Sequence, residues 1–245
     1  MLKIIIRCIF VWSILSMGSA TAEPKNTHPK QINLVYEVIR NGQPFATVTE
    51  SFKQVDNQYH IVSTTKGIGV YALLGERKLM SDGTVTAQGL KPAHFELRQG
   101  DNTKKWLATD FDWANDTLNM TVKGALITVP LIVGTQDLAS FPYQFMSMSL
   151  DKILAEKKGQ ADVTLNVTTG KKLQVYVYKA VTQDTALVLS AGSFKTIQLN
   201  SVKDNASDNN KQIWLAADQH YLPVYITTHD ENGTIEQRLK SLQFE

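Results

Sequence analysis

From Ile32 onward the chain alternates apolar and polar residues with a period of two. "INLVYEVIR" (residues 32–40) and "FATVTESFKQ" (45–54) flank "NGQP", which predicts a β-hairpin around a tight turn. "YHIVSTTKG", "ERKLMSDGTVTAQG", "KPAHFELRQ", "KKWLATDFDWAN", "TLNMTVKG" and "ALITVPLIV" continue the pattern, each bounded by Gly, Asn, Asp or Pro. In "KWLATDFDW", Leu107, Thr109, Phe111 and Trp113 fall on one face, and Trp106, Ala108, Asp110 and Asp112 on the other. A second run of strands begins at "ADVTLNVTTG" and ends at "GTIEQRLKSLQF"; within it "VKDNASDNNK" (202–211) reads as a solvated hairpin loop. Half-polar strands of this kind belong to antiparallel sheets. "GLKPAHFELRQGDNTKKWLATDF" and "YLPVYITTHDENGTIEQRLKSL" echo one another weakly, with Pro92 and Pro223 at strand starts. The echo fits either a duplicated half-barrel or the ordinary way antiparallel strands begin.

One stretch breaks the rhythm. In "QDLASFPYQFMSMSL" (136–150), Leu138, Phe141, Phe145 and Met148 fall at helical spacing, and Met146, Leu150, Ile153 and Leu154 make a second apolar row. Ser140 is placed to cap, Pro142 suits the first turn, and Lys157, Lys158 and Gly159 supply a stop. The spacing predicts one helix over 141–158, roughly 27 Å long at about 1.5 Å per residue. The expected fold class is mainly β: a strongly curved antiparallel sheet or half-open barrel wrapped around one long α-helix.

Residues 1–22 stand apart from this domain. Lys3 and Arg7 precede the apolar run "CIFVWSILSM", and "ATA" (20–22) offers a small-x-small cleavage site. The segment predicts a signal peptide cut after Ala22 and export to the periplasm. Residues 23–31 read as a flexible lead-in and 32–245 as a single β-barrel-like domain. Cys8, the sole cysteine, lies in the leader, so the mature chain has no thiol nucleophile, disulfide or Cys-ligated metal. Loss of Lys3 and Arg7 leaves 23 basic against 23 acidic residues. That balance offers no basic excess for nucleic acid or an anionic membrane surface.

The motifs exclude more chemistry than they offer. There is no Gly-x-Ser-x-Gly elbow and no glycine-rich phosphate loop. His28, His60, His94, His220 and His229 lack metal-ligand spacing. "DFDWAND" lacks the glycine and terminal glutamate of a calcium loop. No cofactor or metal is expected. The positive signal is aromatic and thioether mass: Phe141, Phe145, Met146, Met148, Trp106 and Trp214 could line an apolar space between helix and sheet. Plain core packing is the competing reading of each of them.

"TQDLASFPYQF" (135–145) and "IWLAADQHYLPVYI" (213–226) resemble an uncharacterised bacterial envelope family, domain of unknown function three-one-zero-eight. The matching positions are the "VYEVIRNGQPFATVTE" hairpin, "TAQGLKPAHFEL", Gln136–Asp137–Leu138 with Ser140, and Trp214–Leu215–Ala216 with Pro223. The resemblance implies a periplasmic all-β protein of unknown activity. A weaker likeness, of fold only, is to outer-membrane lipoprotein carriers.

Three functions then compete. The first is a non-enzymatic binding or carrier protein for an acyl chain, lipid or lipoprotein. The second is an envelope scaffold with a filled core that recruits protein partners through exposed strand edges. An enzyme ranks third; it would need carboxylates and histidines to meet in a cleft, and two or more of His60, His94, Asp110 and Asp137 within hydrogen-bond reach would revive it.

Overall fold

The computed structural model describes residues 29–101, 103–183, 185–202 and 210–245. The expected signal peptide, most of the lead-in, and the body of the 202–211 loop lie outside the described residues.

The chain opens with the hairpin β1 (Gln31–Arg40) and β2 (Gln43–Val55). Asn41 (φ 49°) and Gly42 (φ 78°) form its two-residue turn, with the paired positive φ that matches strand twist. The meander continues through β3 (Gln58–Gly67), β4 (Arg77–Thr86), β5 (Gly89–Gln99), β6 (Leu107–Asp112), β7 (Thr117–Val122) and β8 (Ala125–Pro130). A short β9 (Gln136–Asp137) leads into the helical segment. Then come β10 (Gln160–Thr168), β11 (Leu173–Thr182), a small hairpin of β12 (Leu187–Leu189) and β13 (Gly192–Phe194), β14 (Thr196–Ser201), β15 (Asn210–Ala216), β16 (Leu222–Asp230) and β17 (Gly233–Phe244).

Fifteen strands form one sheet in the order β8-β7-β6-β5-β4-β3-β2-β1-β17-β16-β15-β14-β11-β10-β9. The first and last long strands, β1 and β17, are neighbours near its centre. Every ladder is antiparallel except the two-residue parallel pairing of β9 with β10. The sheet is not closed: β8 and β9 are its two ends. It nevertheless curls far enough that Gly170, in the β10–β11 turn, lies against Leu107 and Phe95 of β6 and β5. Pro44, Pro92 and Pro223 each sit beside a register shift. A bulge there bends the strand where proline could not donate to the ladder.

Alternation decides the inside. Ile32, Leu34, Tyr36 and Val38 of β1 are buried, and so are Tyr59, Ile61 and Ser63 of β3 and Leu107, Thr109 and Phe111 of β6. The buried side chains make two cores. One gathers β1–β7 with Leu222, Val224 and Leu239. The other gathers β10, β11, β14 and β15 with Leu150 and Leu154.

The expected single helix over 141–158 is corrected. Phe141–Gln144 is a short α-helix, α1, followed by a 3-10 turn over Phe145–Ser147. Met148 is extended (φ −94°, ψ 126°), and a second helix, α2, covers Leu150–Glu156. The break follows from the two cores. Tyr143 and Met146 pack into the first, and Phe141, Phe145, Leu150 and Leu154 into the second. A straight helix could not aim one stripe at both, and Ser147 and Ser149 beside Met148 favour leaving the helix. The stop falls close to the expected place, but Lys158 (φ 56°) rather than Gly159 takes the left-handed position after the cap, and Gly159, at φ 87°, donates its N–H to Leu154 O (2.7 Å).

Candidate functional site

The 136–144 segment is held by polar side chains rather than by helix propensity. Asp137 is fully buried. Its Oδ1 accepts the N–H groups of Ala139 and Ser140, both at 2.8 Å, and its Oδ2 accepts the Ser81 hydroxyl at 2.6 Å. Ser140 Oγ accepts the Asp137 N–H (2.9 Å), so the turn is capped in both directions. The expected cap by Ser140 is corrected: its backbone is already helical (φ −83°, ψ −32°) and its side chain bonds no helix N–H, while Asp137 caps the turn that leads into the helix. Burial pushes the Asp137 carboxyl up to about 6, against the lowering effect of the hydrogen bonds from Ser81, Ser140 and Ala139. Tyr59 adds its hydroxyl to Ser81 at 3.1 Å.

Neighbouring residues repeat the theme. Gln136 Nε2 donates to Leu90 O (2.8 Å), and Gln144 Oε1 accepts the Leu90 N–H (2.8 Å). Two glutamines thus complete the backbone bonding of one β5 residue. Tyr143 donates to Glu50, which also accepts Ser63. Burial raises the Glu50 carboxyl above its usual range, in opposition to those two bonds. Tyr36 donates to the carbonyl of Pro223 across the sheet (2.7 Å). Leu90, Gln136, Asp137 and Ser140, which sequence scatters over two motifs, are thereby joined around one segment, while Tyr36 and Pro223 join two further motifs to each other.

The six side chains expected to line an apolar space are divided among different surroundings. Phe141 and Phe145 meet edge-on with ring centres 6.4 Å apart, and Phe145 is 0% exposed. Met146 is buried in the first core, and Met148 is half-buried against the second. Trp106 is 38% exposed and lies under the Arg98 guanidinium at 4.9 Å. Trp214 is half-buried against Tyr225, 4.7 Å between ring centres.

His94 and Asp110 do meet, at 2.6 Å, and His60 meets Asp82 at 2.5 Å. Strand register sets all four in one row across β3–β6: His60, Asp82, His94, Asp110. The row alternates with buried Ile61, Ser81, Phe95 and Thr109, so it occupies the outer face. Burial of the His94 ring opposes its charge, but Asp110 and Glu96 outweigh that and raise its pKa. Among the described residues, no group of three or more His, Cys, Asp or Glu side chains is arranged to hold a metal ion. The "DFDWAND" stretch is a turn in which Asp112 Oδ1 accepts the N–H groups of Ala114 and Asn115.

Two grooves border α2, one of about 420 Å³ with Leu154, Ala155 and Ile197 in its lining and one of about 460 Å³ with Ile153 and Lys157 in its lining, and a third lies at the seam where the barrel stops short of closure. This third groove, of about 560 Å³, runs between β8 and the start of β11. Met120 is its floor, Ile127, Val129, Pro130 and Ile132 form one wall, and Leu173 and Val175 the other. Lys171 and Lys172 stand at its rim. From sequence, "ALITVPLIV" reads as one more strand; an apolar run with no covering strand beyond it is the available signal. Gly170 fixes the geometry: at φ 80°, a Cβ there would lie 3.1 Å from Leu107 Cβ. Gly170→Ala is expected to cost about 1–3 kcal/mol in denaturant unfolding, through left-handed strain and overpacking together.

The chain belongs to the family described as protein of unknown function (DUF3108), which matches residues 33–240. No curated protein matches it. Among solved structures it is similar to a β-barrel-like protein of domain of unknown function DUF1849 from Brucella abortus. The TM-score is 0.54 at 9% identity, over 88% of this chain and 98% of that one. That likeness concerns the fold alone. Among the described residues, no helix is long and apolar enough to cross a membrane.

Proposed function

We propose that the protein is a non-enzymatic binding protein of the periplasm that holds an apolar chain in the seam groove beside β8. The observation that carries this reading is the groove itself. In a domain whose helical segment is packed into both cores, apolar side chains line a floor and two walls that no described strand covers. It is an open groove of about 560 Å³, somewhat larger than the two of about 420 and 460 Å³ beside α2. Each methylene buried there contributes about 0.8 kcal/mol, so a chain of ordinary length would be retained in water. The sequence-predicted export signal supports the compartment. Buried Asp137 and Gln136 with half-buried Glu50 and Gln144 serve to hold the 136–144 segment in place, and the His94–Asp110 pair stands on the outer face of its strands, which supports a scaffold for binding rather than a reaction centre.

The test is native mass spectrometry of protein purified without strong detergent. A co-purifying lipid mass is expected. It should disappear in Ile127→Arg, which puts a charge on a partly exposed groove wall while leaving the fold intact. A clean apo mass for the unaltered protein, together with no uptake of a fluorescent fatty acid, would overturn the reading.

A second reading has its own observation. Among the described residues β8 pairs only with β7, and Leu126 on it is 68% exposed. It carries none of the charged residues that usually protect a free sheet edge. An extended segment of another envelope protein could add to it as a further strand. Leu126→Lys should then abolish the protein complex and spare any lipid in the groove.

A further inference from the structure

We infer that the occupant of the seam groove is a single-chain amphiphile with an anionic head, read by Lys171 and Lys172; this rests on the groove being a ligand site. The two lysines follow Gly170 in the β10–β11 turn, and both are exposed. Their backbone is not loose. Thr169 N–H donates to Lys172 O (3.0 Å), Gly170 N–H to Thr168 Oγ1 (3.1 Å), and Gly170 itself is wedged against Leu107 and Phe95. The turn therefore presents two cations at a set position on the rim. Among the described residues neither lysine forms an ion pair, although Lys66, Arg98 and Arg238 do.

Among the described residues no acidic side chain lines the groove; its polar members are Asn166, Gln174 and the two lysines. The charge at the mouth is thus of one sign, above walls that are apolar. That combination suits a ligand whose tail enters between Ile127, Val129, Leu173 and Val175 while its head stays at the wet rim. A carboxylate or phosphate head would meet two ammonium groups there without either charge leaving solvent.

The test compares three probes of equal chain length: a long-chain carboxylate, the corresponding alcohol, and the corresponding trimethylammonium. Each displaces a neutral fluorescent reporter from the full-length mature protein. The carboxylate is expected to bind about tenfold more tightly than the alcohol at low salt, as two exposed charge pairs would give. The trimethylammonium should bind more weakly than the alcohol. The preference should shrink at high ionic strength and vanish in Lys171→Gln/Lys172→Gln, whose unfolding curve should match the unaltered protein's.

Equal binding of all three probes would overturn the inference and leave the groove as an apolar site. Persistence of the preference in the double variant would also overturn it, because another group would then be reading the head. Failure of every probe to bind would instead remove the ligand-site reading on which the inference rests.

Discussion

Near pH 4, Asp137→Ala is expected to lose about 3–5 kcal/mol of unfolding free energy, while Asp137→Asn loses about 1 kcal/mol or less. Alanine strands three donors in a dry environment: the Ala139 and Ser140 N–H groups and the Ser81 hydroxyl. Each buried unsatisfied group costs about 1–3 kcal/mol, with incomplete additivity. Asparagine keeps an oxygen for the two backbone donors and turns its amide toward Ser81 Oγ. The two variants also separate by pH. The folded carboxyl sits at about 6, above its ordinary 3.8, because burial disfavours the charge. The native state therefore binds more protons than the unfolded chain between those values. Stability from this group is fully present below about pH 4 and is lost as pH rises through 6, on the order of 3 kcal/mol in all. The asparagine side chain does not titrate, so the Asp137→Asn variant should gain on the unaltered protein by that amount between about pH 4 and pH 7. Urea unfolding across the range reads the difference. Parallel curves would mean that the carboxyl is not raised.

Hairpins are legible in the sequence because a half-buried strand must alternate, and alternation is local. β1 buries every second residue from Ile32 to Val38, and its turn residues adopt the positive φ that Asn-Gly implies. The helix misleads for a reason equally physical. Phe141 and Phe145 in one row and Met146 in the other read as one wide apolar face, but Met146 belongs to the first core and the two phenylalanines to the second. Periodicity records that a residue is buried and not which body buries it. The structural role of Asp137 is not legible in the sequence, because its partner Ser81 lies 56 residues away and on another strand. The seam is invisible for the same reason: a groove between β8 and β11 depends on how far the sheet curls, which long-range contacts such as Gly170 against Leu107 determine. The apolar run in β8 looks like a core strand and is an edge.

Phe145→Ala should cost about 3–5 kcal/mol and leave ligand uptake at the seam unchanged. Phe145 is wholly buried, packs edge-on against Phe141, and shares a core with Leu150, Leu154, Val163 and Leu199. Truncation removes the ring's burial and leaves a void that neighbours anchored on separate strands cannot collapse to fill. The void would be apolar and dry, so a small aromatic solute should restore part of the lost stability. Ile127→Arg should behave in the opposite way, retaining stability while losing uptake, because Ile127 lies on the groove wall and is partly exposed already. The pair tests where the protein keeps its space. A loss of less than about 1 kcal/mol for Phe145→Ala, with reduced uptake, would put the ligand behind the helical segment, where the aromatic rows of the sequence first point. A large loss with intact uptake assigns those rings to the frame and leaves the seam as the place where an apolar chain can enter.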